Sequence, residues 1–279
     1  MHKLILQKTV FANKEKQFLE EKFETQIKEY TTWSEMLLKK FPSSDEVSQI
    51  CTILKADVNV LPEGFEPENV KLVVSDMDST LINIECVDEI ADFAGVKAEV
   101  SKVTEAAMRG ELDFAGSLVE RVKLLTGLDE SALQRVYDER LKLNPGAEQM
   151  LRDLKEKNIK FALVSGGFTF FTDRLKDRLE LDYTLSNTLE RENGKLSGSV
   201  VGDIIGAEAK AAFLLEKCKE LKISPSQAVA IGDGANDLKM MAVAGLGIAY
   251  HAKPKVQEIA DCSLNYSGLE GLSSLLLID

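Results

Sequence analysis

Short apolar runs that each end on acid, glycine or a small residue constrain this chain's fold more than any other feature. They are KLVVSDMD, IKFALVSGG, QAVAIGDGAND and LGIAYHAK. Helical patterns separate them, as in EQMLRDLKEKN, EAKAAFLLEKCKEL and PKVQEIAD. Strands so short and so continuously apolar need cover on both faces, and helices between them supply it, so the pattern predicts a parallel sheet of the doubly wound α/β class. Residues 85–145 break the alternation. They hold no convincing strand and read as successive amphipathic helices inserted after the first strand.

Ahead of the core, residues 1–65 form a charged, helix-rich segment. KEKQFLEEKFETQIKEYTTWSEMLLKKF carries Phe18, Phe23, Ile27 and Leu37 at helical spacing, and KLILQKTV and ADVNVLP are its few strand candidates. Pro62, Gly64 and Pro67 mark a linker. The expected organisation is an N-terminal α+β accessory segment over 1–65, an α/β core over 70–84 and 146–279, and a helical insertion over 85–145. The accessory segment is expected to be a reduced regulatory domain or a dimerisation element, which makes a homodimer an expectation.

With 34 basic against 46 acidic residues, a formal charge of −12 argues against a nucleic-acid or anionic-membrane surface. An anionic substrate would need a local positive site. The cysteines Cys51, Cys86, Cys218 and Cys262 form no CxxC pair, which argues for free thiols over a zinc or disulfide framework. Leu4-Ile5-Leu6 is cut short by Gln7 and Lys8, leaving no signal-peptide core, and no later apolar run would span a bilayer. The expected location is the cytoplasm.

In a parallel sheet, ligands bind beyond the carboxyl ends of the strands. Asp76 and Asp78 stand at one such end, and in an extended chain positions i and i+2 project to the same side. Two carboxylates held that close repel unless a cation lies between them or they share a proton. Two such residues alone would equally suit an acidic surface turn. IGDGAND adds Asp233 and Asp237 after another strand, with Asn236 beside them. An oxygen-rich crevice of this kind suits Mg²⁺, which keeps waters and bridges to phosphate.

GDGAND fails as a dinucleotide loop, because Asp237 stands where the third glycine belongs and nothing would neutralise Asp233 against a pyrophosphate. DMDSTL fails as an EF-hand, with Leu81 and Val87 at the positions that need Gly and Glu. VSGGF offers the Ser165 hydroxyl and the pliant backbone of Gly166 and Gly167 to phosphate oxygens. Lys210, in AEAKAAF, adds a point charge. Alone, SGG is a common turn and Lys210 an ordinary helix lysine.

In that order, DMDSTLI, VSGGF, a downstream lysine and GDGANDLKM resemble the four motifs of the haloacid-dehalogenase-like phosphatases, from about residue 70 onward. IECVDEIADFAG followed by AAMRGELDFAGSLVERV resembles the helical cap of the phosphoserine phosphatases within that superfamily. The resemblance implies a Mg²⁺-dependent hydrolysis of O-phospho-L-serine, the last step of serine synthesis. Asp76 would be the nucleophile that forms a phosphoaspartyl intermediate, and Asp78 the acid and then the base. Mg²⁺ would be held by Asp76, the backbone carbonyl of Asp78, and Asp233, with Asp237 behind them. Ser165, Gly166, Lys210 and Asn236 match the phosphate-holding positions.

In the cap, Glu85 would meet the substrate ammonium and Arg121 its carboxylate, which a guanidinium grips bidentately. Met108 and Phe114 would line the pocket, although cap-core roles suit both nearly as well. Ser79 and Thr80 would cap a following helix or hold the loop that carries Asp78. One rival reading is a related phosphatase or phosphotransferase that uses phosphothreonine or homoserine. Another, from a different class, is a signalling receiver phosphorylated on Asp, although receivers lack an inserted cap.

Overall fold

The computed structural model describes residues 2–8, 10–108 and 111–278. The chain opens with β1 (His2–Leu6), α1 (Asn13–Phe23), β2 (Lys28–Glu29), β3 (Ser34–Leu38), α2 (Ser44–Leu54) and β4 (Val58–Val60). The strands form an antiparallel sheet in the order β2-β3-β1-β4, with Ile5 opposite both Glu35 and Asn59. One face buries Leu4, Leu6, Met36, Leu38, Val58 and Val60 against Leu19, Ile50 and Leu54 of the helices. Ile5, Trp33 and Leu61 join the main core instead.

The helical spacing that extends to Leu37 is overridden here. α1 stops at Glu24, which is left-handed at φ 52°, and Ser34, Met36 and Leu38 point inward with a period of two. The face that carries Ile5 docks on the far end of the chain. Asp57, 2% exposed, accepts the backbone N–H groups of Asn265 (2.7 Å), Tyr266 (3.1 Å) and Ser267 (2.7 Å), while Trp33 Nε1 donates to the Ile278 carbonyl at 3.2 Å.

The next elements are β5 (Leu72–Ser75), α3 (Cys86–Ala94), α4 (Lys97–Met108), α5 (Phe114–Lys123), α6 (Ser131–Glu139) and α7 (Ala147–Glu156). After these come β6 (Lys160–Phe168), α8 (Thr169–Leu179), β7 (Tyr183–Glu192), β8 (Lys195–Val201) and α9 (Ala207–Leu221). The chain closes with β9 (Ala228–Gly232), α10 (Leu238–Val243), β10 (Leu246–Tyr250), α11 (Pro254–Ile259), β11 (Cys262–Leu264) and α12 (Gly271–Leu275).

The second sheet runs β11-β10-β9-β5-β6-β7-β8, parallel except for the β7–β8 pair. Alternate residues enter opposite cores: Val73, Leu163 and Ile231 on one face, Val74, Val164 and Ala230 on the other. Helices cover both faces, as a continuously apolar strand requires. No helix among the described residues is long and apolar enough to cross a membrane.

The helical insertion α3–α6 leaves and rejoins the core along paired linkers. Ile82 bridges Leu143 antiparallel, Asn83 N–H donates to the Lys142 carbonyl at 3.0 Å, and the Asn144 amide donates to the carbonyls of Thr80 (2.8 Å) and Ile82 (3.1 Å). Behind α5, the insertion is also stitched to the β7–β8 hairpin. Gly127 N–H donates to the Leu196 carbonyl at 2.8 Å, and Leu196 N–H to that of Leu128 at 2.9 Å.

Candidate active site

β5 is the central strand, and its end carries the two acids with β6 and β9 on either side. Asp76 N–H still pairs with the Ile231 carbonyl at 2.9 Å, after which the chain leaves the sheet. Asp78 keeps an extended backbone, and Ser79 turns left-handed at φ 56°, ψ 1°. No regular helix begins here. Ser79 therefore caps none; its hydroxyl donates to Glu85 Oε1 at 2.7 Å, and Thr80 Oγ1 reaches Asp233 Oδ1 at 3.4 Å.

The Lys210 side chain, fully buried on α9, lies between two carboxylates, with its Nζ 2.7 Å from both Asp76 Oδ1 and Asp237 Oδ1. Burial pulls the ammonium down, but Asp237 and Asp76 outweigh it and hold Lys210 above the usual lysine range. Burial and the Asp237 charge push the Asp76 carboxyl upward, while Lys210 pulls against them. Asp78 is raised to about 8, first by burial and then by the charge of Glu85. Its Oδ1 is enclosed with no hydrogen-bond partner among the described residues. Burial and then Asp237 raise Asp233 to about 6.

Oxygen atoms of Asp76, Asp233 and Asp237 lie within 4.8 Å of one another. Three converging carboxylates, of which Asp76 and Asp233 are displaced upward by burial and by the Asp237 charge, fit a hard divalent cation. Asp237 is also engaged by protein donors, through Lys210 and the Gly234 N–H at 3.1 Å. Asn236 sits in the turn after β9, folded over Gly234, where a Cβ would strike its Oδ1.

On the other side of β5, Ser165 Oγ accepts the Gly167 N–H at 2.7 Å. Gly167 leaves no room for a Cβ beside Met77 Cε and Ser165 Oγ, and Gly166 none beside the Phe114 ring. The turn is held from behind by Asn187, a residue that carries no motif signal. Its amide N–H donates to the Gly166 carbonyl and its oxygen accepts Ile205 N–H, both at 2.8 Å. One buried side chain thus joins the Ser165 turn to the approach of the helix that carries Lys210.

The insertion brings Phe114 against Gly166 and Gly206, and Arg121 into the field of Asp88, Glu85 and Asp78, which oppose the downward pull of burial on its guanidinium. Met108 ends α4, and its side chain lies outside the described residues. The structure therefore gathers Asp76, Asp78, Ser165, Gly166, Lys210, Asp233 and Asp237 at neighbouring strand ends, with Glu85, Phe114 and Arg121 facing them from the insertion. Asn144 and Asn187 were not singled out by motif or spacing, since an isolated amide has no pattern.

The description "haloacid dehalogenase-like hydrolase" belongs to a family whose model matches residues 70–245. A phosphoserine phosphatase from Polaromonas sp. is 54% identical over 224 residues, which cover 78% of this chain and 95% of that protein. The crystal structure of a probable phosphoserine phosphatase from Vibrio cholerae, in unliganded form, superposes with a TM-score of 0.86 at 38% identity, covering 99% of this chain and 86% of that one. A phospho-aspartyl intermediate analogue of phosphoserine phosphatase superposes at 0.70 and 40% identity, over 75% of this chain and 99% of that one.

Proposed function

The chain belongs to the haloacid dehalogenase-like hydrolase family, and we propose that it hydrolyses O-phospho-L-serine to L-serine and phosphate, the closing step of serine synthesis. One observation carries this reading: at a single strand end, Asp76 lies 2.7 Å from the Lys210 ammonium, while Asp78, two residues on, is enclosed with an unpartnered Oδ1 and its carboxyl is raised to about 8 by burial and the charge of Glu85. A nucleophile needs a cation beside it and a proton donor needs a raised pKa, and these two positions supply them separately.

In the first step an Asp76 oxygen attacks phosphorus, the P–O bond to serine breaks, and Asp78 gives its proton to the departing serine oxygen. In the second step water attacks the phosphoaspartyl group, loses its proton to Asp78, and the bond to Asp76 breaks. Both acids return to their starting states. Ser165, the Gly166 backbone, Asn236 and Lys210 hold the phosphoryl oxygens, and Lys210 offsets the charge that develops on them. Arg121 receives the substrate carboxylate and Glu85 its ammonium. Phe114 shuts water out from the Gly166 side.

Mg²⁺ is the cation we assign to the acid cluster, held by Asp76, the Asp78 backbone carbonyl and Asp233, with Asp237 supporting them; when bound, it neutralises charge between carboxylates and phosphate. We assign the N-terminal unit to a reduced regulatory or a dimerisation role, the helical insertion to a substrate cap, and the protein to the cytoplasm. Light scattering of the purified chain reads the dimer directly.

The deciding experiment is phosphate release from O-phospho-L-serine, O-phospho-L-threonine and a sugar phosphate, each with Mg²⁺ and with chelator. Metal-dependent preference for phosphoserine is the expected result. Release without that preference removes Glu85 and Arg121 as selectors. A stable phosphoprotein that releases no phosphate would restore the receiver reading.

A further inference from the structure

Glu85 occupies the N-cap of α3, where an acidic side chain ordinarily accepts an N–H from the first helical turn. Its side chain makes no such bond. The carboxylate is turned toward the strand ends, where Oε1 accepts the Ser79 hydroxyl at 2.7 Å. From there its charge acts on Asp78, Asp233 and Arg121. Ser79 also donates its N–H to the Ile84 carbonyl at 3.2 Å, so both its backbone and its side chain fasten the short loop that ends at Glu85.

The backbone at Ser79 makes this bond more telling. At φ 56° a Cβ is disfavoured and glycine is at home. Glycine would make the same turn without strain, and what serine adds is the hydroxyl that holds Glu85. An exposed glutamate otherwise samples many rotamers, each lost again when a ligand binds.

We propose that Ser79 is a specificity-positioning residue, whose hydroxyl fixes the Glu85 carboxylate where the substrate ammonium is received. This rests on reading Glu85 as the ammonium partner. Ser79 acts through Glu85 and needs no contact with the reacting atoms. The strained backbone is retained for a hydrogen bond that serves selection.

The test compares O-phospho-L-serine with 3-(phosphonooxy)propanoate, the same molecule without its ammonium, in wild type, Ser79→Ala, Ser79→Gly and Glu85→Gln, with KM and thermal midpoint measured for each. Ser79→Ala and Ser79→Gly are expected to raise KM for phosphoserine by about tenfold, the scale of one hydrogen bond to a charged group, and to leave KM for the ammonium-free substrate unmoved. Ser79→Gly should do so while keeping or raising the melting temperature, since it relieves the left-handed strain. In a Glu85→Gln background, Ser79→Gly should add no further loss. Equal losses on both substrates would overturn the proposal, because they would mean the loop is only supporting Asp78. Selectivity lost in Glu85→Gln but kept in both Ser79 variants would reject Ser79 and leave Glu85 standing. Selectivity kept in Glu85→Gln would reject the ammonium reading itself.

Discussion

The ring of Phe114 rests on Gly166: a Cβ built there would stand 2.5 Å from Phe114 Cζ. One partner comes from the helical insertion and the other from the turn after Ser165, so the contact marks where the insertion meets the sheet. Gly166→Ala should push the ring away and lower kcat/KM by about tenfold by displacing the insertion from the strand-end site. Adding Phe114→Ala should cost less in that background than alone, because the collision is then gone. Strictly additive losses in steady-state kinetics would mean that the two residues act separately.

Asp76→Asn should reduce kcat by more than about a thousandfold, since an amide cannot serve as the nucleophile. The fold should survive, because burial and the charge of Asp237 already disfavour the ionised carboxylate, and Lys210 keeps Asp237 as a partner. Circular dichroism and single-turnover phosphate release check the two halves of this expectation. Substantial residual turnover would remove Asp76 from its role.

Arg121→Ala should raise KM for phosphoserine by about tenfold or more while changing KM for an aryl phosphate little, since a bidentate grip on carboxylate is lost only where a carboxylate exists. Comparable rises on both substrates would show that Arg121 merely supports the cap.

Asp78 and Asp233 are raised to about 8 and about 6. A carboxyl whose folded pKa lies above its unfolded one keeps its proton in the fold after the unfolded chain has lost it. Its contribution to stability is complete below the unfolded value and disappears as pH climbs through the folded one. In chelator, the melting temperature should therefore decline from pH 6 to pH 9. Mg²⁺ should counter that decline, so that the gap between the two melting curves widens with pH. A gap constant across this window would place the cation elsewhere.

Asp57→Ala should destabilise the protein by about 3 kcal/mol, the loss of a buried carboxylate that accepts successive backbone N–H groups. Urea unfolding gives the number. A change under about 0.5 kcal/mol, the range of ordinary surface substitutions, would show that the N-terminal unit is not anchored through this residue.

The chemistry of the core was legible because strand ends advertise themselves. Asp76, Asp233 and the Ser165 turn each follow an apolar run, and the parallel sheet gathers such ends by construction. The N-terminal sheet was less legible. Lysines and glutamates at helical spacing continue through a segment where Ser34, Met36 and Leu38 keep a period of two, and tertiary packing on α1 and α2 decides between the patterns. The β7–β8 hairpin is too polar to look like a strand pair, although Asn193-Gly194, both left-handed, is a strong two-residue turn signal. The Ser79–Glu85 bond had no sequence signature, since it depends on one residue adopting a conformation its type disfavours.

The paired linkers at Ile82 and Leu143 have a consequence for how such a protein can diversify. The insertion of about sixty residues between them is, to the sheet, one long hairpin loop, and the entropy of closing a loop grows only logarithmically with its length. Lengthening, shortening or exchanging what lies beyond that bridge should cost the sheet little so long as the bridge closes and the bonds from Gly127 and Leu128 to the β7–β8 hairpin are kept. Insertion and sheet are therefore parts of one chain that can vary under separate selection, joined covalently through a crossing only a few residues wide and held together besides along the β7–β8 hairpin.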